Sequence, residues 1–278
     1  MKTLYKRTIF GLVFIFVMLA GLLVHKYLFA ALVSFMMAGM MYEFLKMATS
    51  GRKKGLVAAV IVSAVAQFLL VFACFAEGLP MRFLPLALLP PFIVVFCSVL
   101  CKSGSERQDD YAYMLAGFVY IALPLLLYNV LAFRGIGFDG RLILAFFIMI
   151  WCSDVGAYCA GSALGKKLHS KKLSPHISPN KTWVGFWGGL LFCMIAAYCL
   201  HVFGMFRGIS LPHCLALAAI VHAGGVCGDL FESLWKRHFD VKDSGNIIPG
   251  HGGLLDRFDS SLVAIPLASV YLYITELI

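Results

Sequence analysis

Nine apolar stretches dominate this sequence, at roughly 8–24, 28–45, 55–76, 83–101, 111–133, 141–161, 183–203, 211–231 and 260–276. Each approaches the about 20 residues that a helix needs to cross a hydrocarbon core of roughly 30 Å. Lengths of this kind, separated by short polar segments, predict membrane helices rather than the elements of a soluble core. Composition agrees: 61% of the 278 residues are hydrophobic and only 13% are charged. The mean hydropathy is +0.89. A soluble domain of this size needs a more polar skin. The expectation is an all-α, polytopic integral membrane protein with about nine transmembrane helices. The first two spans are separated only by His25-Lys26-Tyr27. The opening MKTLYKR with its apolar run resembles a signal peptide, but further spans follow at once, so a retained first helix is expected.

The formal net charge is +9, yet the distribution of the cations argues against nucleic acid as a partner. No basic stripe with interleaved aromatics occurs; the cations sit in short segments between apolar runs, as topology signals do. With the N-terminus in the cytoplasm and alternating loops, only Lys26, Arg82, Arg134, Arg141 and Arg207 of the 23 basic residues fall outside. The others fall inside, and the C-terminus falls outside. This bias places the N-terminus and the functional loops in the cytoplasm, and the location expected is a bacterial-type inner (plasma) membrane. The nine cysteines include no CxxC pair and mostly lie within apolar runs, which reads as small apolar core residues.

Two cytoplasmic segments are rich in chemistry. The eighth span ends in GDLFESLWKR, residues 228–237. At about 100° per residue, Asp229, Glu232, Ser233, Lys236 and Arg237 share an arc of roughly 140°. An amphipathic helix end with snorkelling cations explains most of this face. It does not explain Asp229, which follows the apolar run AIVHAGGVCG at a depth where ionisable groups are expensive and usually functional. The chain continues HFDVKDSGNIIPGHGGLLDRFDS. Its glycines and proline forbid a continuous helix and let backbone N–H groups approach a ligand. Asp256 and Asp259, at i and i+3 where the last span begins, can share a face. Such carboxylates beside a glycine-rich loop suit a divalent cation carrying phosphates, and magnesium prefers one or two carboxylates with positions left open.

The other segment, residues 151–183, carries Asp154 inside an apolar run. Either a polar cavity or a structural hydrogen bond between helices would account for it. GSALGKK falls one residue short of a Walker A loop and has Lys167 where Ser or Thr is needed, which excludes a P-loop. Ser178, Pro179, Asn180, Lys181 and Thr182 are read as a polar turn at the start of the seventh span, where hydroxyl, ammonium and helix-terminal N–H groups suit an anion. His25, His201 and His213 lack metal-ligand spacing and read as interfacial or loop residues.

These residues form a recognisable pattern. Ser233-x-x-Lys236-Arg237, then Lys242-Asp243, then Pro249-x-His251-Gly252-Gly253-x-x-Asp256-Arg257-x-Asp259 resembles the signature of the CDP-diacylglycerol synthases, or phosphatidate cytidylyltransferases. Trp151-x-x-Asp154-x-x-Ala157-Tyr158 and Ser178-Pro179-Asn180-Lys181-Thr182-Trp183 are similar to that family as well. Val184 departs from the pattern, since a polar, often acidic, residue is expected there. The resemblance covers roughly the C-terminal half. It suggests N-terminal transmembrane helices over 1–105 and a catalytic region over 106–278, with the signature at 233–259 and the active site near the cytoplasmic face.

The resemblance implies CTP and phosphatidic acid as substrates, CDP-diacylglycerol and pyrophosphate as products, and one or two Mg2+ ions as cofactor. A phosphate nucleophile is already anionic near neutral pH, so cations and metal rather than a strong base would be needed. Asp229 and Asp256 are the expected principal metal ligands, with Asp259 a third. Lys236, Arg237, Lys242 and Arg257 would hold phosphates of either substrate, Lys236 and Arg257 at the reacting groups. Ser233, Asp243 and the His251-Gly252-Gly253 segment would complete a cradle, with Asp154, Ser178, Asn180, Lys181 and Thr182 adding substrate contacts. Membrane lipids are expected partners and a homodimer is an assembly worth testing. A CTP-dependent polyprenol or lipid kinase and a secondary transporter are the competing readings.

Overall fold

The computed structural model describes residues 2–100, 109–245, 247 and 252–278. Its chain contacts define two compact units: 1–139 with 241–257, and 140–240 with 258–278. The division drawn from the sequence at 105/106 follows the signature; compactness divides the chain at 139/140 and returns 241–257 to the first unit.

The first unit begins with helices α1 (Lys2–Leu23), α2 (Lys26–Ala48) and α3 (Lys54–Ala76). His25 breaks α1 from α2 by taking an extended conformation and accepting the Tyr27 N–H on its side chain at 3.3 Å. A 3₁₀ segment, Met81–Leu88, leads into α4 (Leu89–Leu100). The apolar run at 111–133 folds as α5 (Asp109–Gly117), one π-helical segment (Phe118–Ala122) and α6 (Leu123–Ala132). Phe29, Phe68, Phe72, Phe133 and Phe138 pack with ring centroids 5.4–6.3 Å apart. Ion pairs join the helix ends: Lys26 to Glu77 at 3.0 Å, and Arg52 and Lys53 to Asp110 at 3.2 and 3.7 Å.

In the second unit α7 (Arg141–Leu164) is followed by a hairpin of β1 (Lys172–Ser174) and β2 (Ser178–Thr182), then α8 (Trp183–Val202) and α9 (Leu211–His238). Residues 178–182, expected as a turn, are instead a strand, antiparallel to β1 with Lys172 opposite Thr182 and Ser174 opposite Ser178. A turn at 175–177 reverses the chain, and backbone pairing across the hairpin satisfies groups that a lone turn would leave to water. Thr182 then caps α8, accepting the Gly185 N–H on Oγ1 at 3.1 Å. The helical turn α10 (Leu255–Phe258) precedes α11 (Ser261–Ile274).

Small residues let the helices of this unit approach closely, as they do where helices pack in lipid. A Cβ on Gly156 would stand 2.6 Å from Phe192 Cβ, against α8. One on Gly224 would stand 2.8 Å from the Ala264 Cα, and one on Gly228 2.9 Å from the Ser260 Cα, both against the α11 segment.

All nine apolar stretches contain helix. Among the described residues, six helices are long and apolar enough to cross a membrane: 26–48, 54–76, 109–132, 141–164, 183–202 and 211–238. Large apolar side chains lie exposed on these helices, Phe35, Val62, Val119 and Trp187 among them. That surface belongs in hydrocarbon, and the chain is an integral membrane protein of all-α class. Cys74, Cys193 and Cys214 are buried as expected, whereas Cys159, Cys199 and Cys227 lie on exposed helix faces.

Candidate active site

In the second unit, a cavity of about 590 Å³ lies between α7, the hairpin, α8 and α9. Its wall carries Ser153, Asp154, Tyr158 and Ser162 from α7, Asn180, Lys181 and Thr182 from β2, and Asp229 from α9. Glycines on three helices help to form it, since Gly161 of α7, Gly185 of α8 and Gly225 of α9 line the space without filling it. Lys181 Nζ is 2.6 Å from Asp229 Oδ2. On the next turn of α9, the Ser233 hydroxyl donates to Asp229 Oδ1 at 3.4 Å. Asp154 therefore lines a cavity that also carries Lys181 and Asp229. Beneath it, Ser153 Oγ lies 2.8 Å from Nδ1 of the buried His222, whose ring packs against Phe186 at 4.5 Å. This Ser–His pair carries no sequence signal, because neither residue falls in a recognised spacing.

Further along α9, Lys236 Nζ is 2.5 Å from Glu232 Oε2, and the Glu232 side chain is almost completely buried. Ser233 and Lys236 thus each bond to the acid four residues before them, as i, i+4 pairs on a helix should. Asp259, at the turn before α11, is buried and accepts its neighbour's Ser260 N–H at 2.6 Å. Its carboxyl is pushed up from the ordinary 3.8 to about 7, mainly by burial and then by nearby Asp229 and Asp154, with the Ser260 N–H and Lys236 opposing the rise. The two neighbouring carboxylates contribute repulsion that a bound cation would relieve.

The first unit holds Asp256 in a different setting. Asp256 Oδ2 accepts the Gly253 N–H at 2.9 Å, the Ser244 N–H at 3.1 Å and the Ser244 hydroxyl at 2.9 Å. Ser244 Oγ also lies 3.3 Å from Oε2 of Glu43 in α2, and the same Oε2 accepts the Leu255 N–H at 2.8 Å. Glu43 is 1% exposed, and no motif in the sequence marks it. Arg237, Lys242, Asp243 and Arg257 are exposed. Gly252 takes a positive φ of 85° beside Asp256; His251 lies outside the described residues. Ser178 lies in β2 opposite Ser174, and Val184 donates its N–H to Ser170 Oγ at 3.1 Å.

Among the described residues, no three of His, Cys, Asp and Glu form a ready-made metal shell. The acids are all-oxygen donors of the kind magnesium takes, with few protein ligands per ion. Asp259, buried within electrostatic reach of Asp229 and Asp154, brings oxygen donors of this kind together.

The model of the cytidylyltransferase family matches residues 5–275. This chain belongs to the cytidylyltransferase family. Within the family it is similar to proteins named phosphatidate cytidylyltransferase: 40% identical over 181 residues to that of Staphylococcus saprophyticus, 38% to that of Staphylococcus epidermidis and 39% to that of Staphylococcus aureus. The matched stretch is 65% of this chain, and it spans about two thirds, 66%, of each relative's length. The family match reaches the N-terminal helices, whereas the motif resemblance covers only the C-terminal half.

Proposed function

We propose that this cytidylyltransferase-family protein transfers CMP from CTP to phosphatidic acid, giving CDP-diacylglycerol and pyrophosphate. The observation that carries the proposal is the cavity whose wall holds Lys181 and Asp229, in a chain whose relatives bear the name phosphatidate cytidylyltransferase. An oxygen of the lipid phosphate attacks the α-phosphorus of CTP, and the bond from that phosphorus to the bridging oxygen of the β-phosphate breaks. Pyrophosphate leaves with the bond's electrons. Lys181 and Lys236, with Arg237, Lys242 and Arg257, hold phosphates; Ser178, Asn180, Thr182, Ser233, Asp243, His251, Gly252, Gly253 and Asp154 shape their surroundings. No strong general base is required, because the nucleophile is already an anion.

Asp229, Asp256 and Asp259 are the proposed ligands of one or two magnesium ions. Bound magnesium would neutralise phosphate charge and stabilise the charge that develops on transfer.

We place the N-terminus and these loops on the cytoplasmic side of a bacterial-type inner membrane, in a nine-span arrangement with the C-terminus outside. Contacts within the units support the alternation. Lys26–Glu77 joins two segments assigned to the outside, and so does the 2.7 Å contact of His213 Nδ1 with Tyr271. Arg52 and Lys53 with Asp110, and Lys181 with Asp229, join segments assigned to the inside. A homodimer is part of the proposal, to be tested by mass measurement in detergent.

The test is pyrophosphate release by the purified protein in mixed micelles with phosphatidate, CTP and magnesium. Release that needs both lipid and CTP, forms CDP-lipid and disappears in Asp256→Asn is the expected result. A folded sample that instead forms CDP and a phosphorylated lipid would make it a lipid kinase and overturn the proposal.

A further inference from the structure

Glu43 stands in the second helix of the chain, yet both of its hydrogen-bond donors come from the segment that carries Asp256. The Leu255 N–H donates to Glu43 Oε2 at 2.8 Å. Ser244 Oγ lies 3.3 Å from that oxygen and 2.9 Å from Asp256 Oδ2. A serine hydroxyl has one proton, so Ser244 donates to one carboxylate at a time, and the shorter distance favours Asp256 while Glu43 stands within reach of the same hydroxyl. The sequence opens room for this arrangement. A Cβ on Gly245 would collide with the Glu43 carboxylate, and one on Gly253 would stand 2.8 Å from Glu43 Oε2. Gly39, one turn before Glu43, likewise leaves space for Leu254, whose Cδ2 would be 2.6 Å from a Cβ there. An acid buried in an apolar helix is costly unless it does something specific. Here it anchors a glycine-containing loop, the kind of segment that has most conformational freedom to lose.

We infer that Glu43 is a positioning residue for the reaction: acting through Ser244 and Leu255, it fixes the Asp256 carboxylate in the orientation needed for metal binding. This rests on the proposed role of Asp256 as a magnesium ligand. Glu43 itself touches neither substrate nor metal in this account. Its contribution is an acceptor oxygen at a fixed place, so a glutamine, which keeps that oxygen, should substitute for it, and an alanine should not.

Hydrogen exchange of the purified full-length protein without magnesium tests the anchor directly. In Glu43→Ala, amides in the peptide spanning 252–257 should exchange about tenfold faster, while Glu43→Gln should stay within about threefold of the parent. Manganese binding, followed by its electron paramagnetic resonance signal, should weaken about tenfold in Glu43→Ala and little in Glu43→Gln. If Glu43→Ala does not fold, Ser244→Ala provides the same readout, with faster exchange expected in 252–257 and the helix peptides unchanged. Unchanged exchange in 252–257 for Glu43→Ala or Ser244→Ala, or Glu43→Gln as damaging as Glu43→Ala, overturns the inference. The underlying reading fails separately: an Asp256→Asn protein with normal turnover and manganese affinity removes the metal role, whatever Glu43 does to the loop.

Discussion

Lys181 Nζ lies 2.6 Å from Asp229 Oδ2, so the strand that precedes α8 is tied by charge to α9 across the cavity. The two side chains retain 25% and 37% of their exposure, which makes the pair a weak source of stability, within about 1 kcal/mol. Its value is positional. Lys181→Ala should therefore leave the melting temperature nearly unchanged and lower kcat/KM by about tenfold to a hundredfold, the loss of a hydrogen bond to a charged group. Steady-state kinetics in mixed micelles, paired with thermal unfolding, check both halves. A large drop in melting temperature would show that the pair is structural.

Lys236 presents the opposite balance. Its partner Glu232 is 1% exposed, so Lys236→Ala takes the cation away from a buried carboxylate and should cost about 3 kcal/mol of stability on top of any effect on turnover. Adding Glu232→Gln should restore much of the stability without restoring activity. Comparing unfolding and turnover of the single and double variants separates the two effects. Recovery of both together would mean that Lys236 has no role beyond neutralising Glu232.

Asp259 gives a pH dependence with a definite sign. Its folded pKa of about 7 lies above the ordinary 3.8, so between those values the folded protein keeps a proton that the unfolded chain gives up. The group's contribution to stability is thus greatest in acid and is lost as pH rises from about 4 through about 7. In chelator, thermal unfolding should show a decline over that window that flattens in Asp259→Asn. Magnesium should stabilise the protein more at pH 8 than at pH 5. Identical pH profiles for the parent and Asp259→Asn would contradict the assignment.

The contact between α9 and α11 should tolerate no added volume at Gly224, where a Cβ would stand 2.8 Å from the Ala264 Cα. Gly224→Val should destabilise by about 1–3 kcal/mol, the usual cost of overpacking. Gly11→Ala, where a Cβ meets nothing within 4 Å, is the matched control and should be neutral. Equal melting temperatures for the two variants would show that the helices can separate to accommodate the side chain.

Much of this molecule is legible in its sequence because lipid imposes a simple code. Apolar length marks α2, α3, α5–α6, α7, α8 and α9, and the depth of Asp229 and Asp154 singles them out before any geometry is known. The 3.6-residue period correctly puts Ser233 and Lys236 on one face of α9, each bonded to the acid one turn before it. The strand at 178–182 escapes this reading because Ser178, Pro179 and Asn180 are turn formers, and only pairing with 172–174 makes the segment a strand. Glu43 escapes it for a different reason. Its donors lie 201 and 212 residues away, and no local pattern marks an acid whose partners are so distant.

That separation also sets an order of events during synthesis. Glu43 enters the membrane with α2 while Ser244 and Leu255 have yet to be made, since chains are built from the N-terminus. Contacts closing such long loops form slowly and late. Until they form, the helix carries an acid still awaiting these two donors, and the nascent protein has the wall that will hold the loop but no loop to hold. Catalytic competence thus arrives near the end of biogenesis, and an early substitution at residue 43 should surface as a defect in the last part of the chain to be assembled.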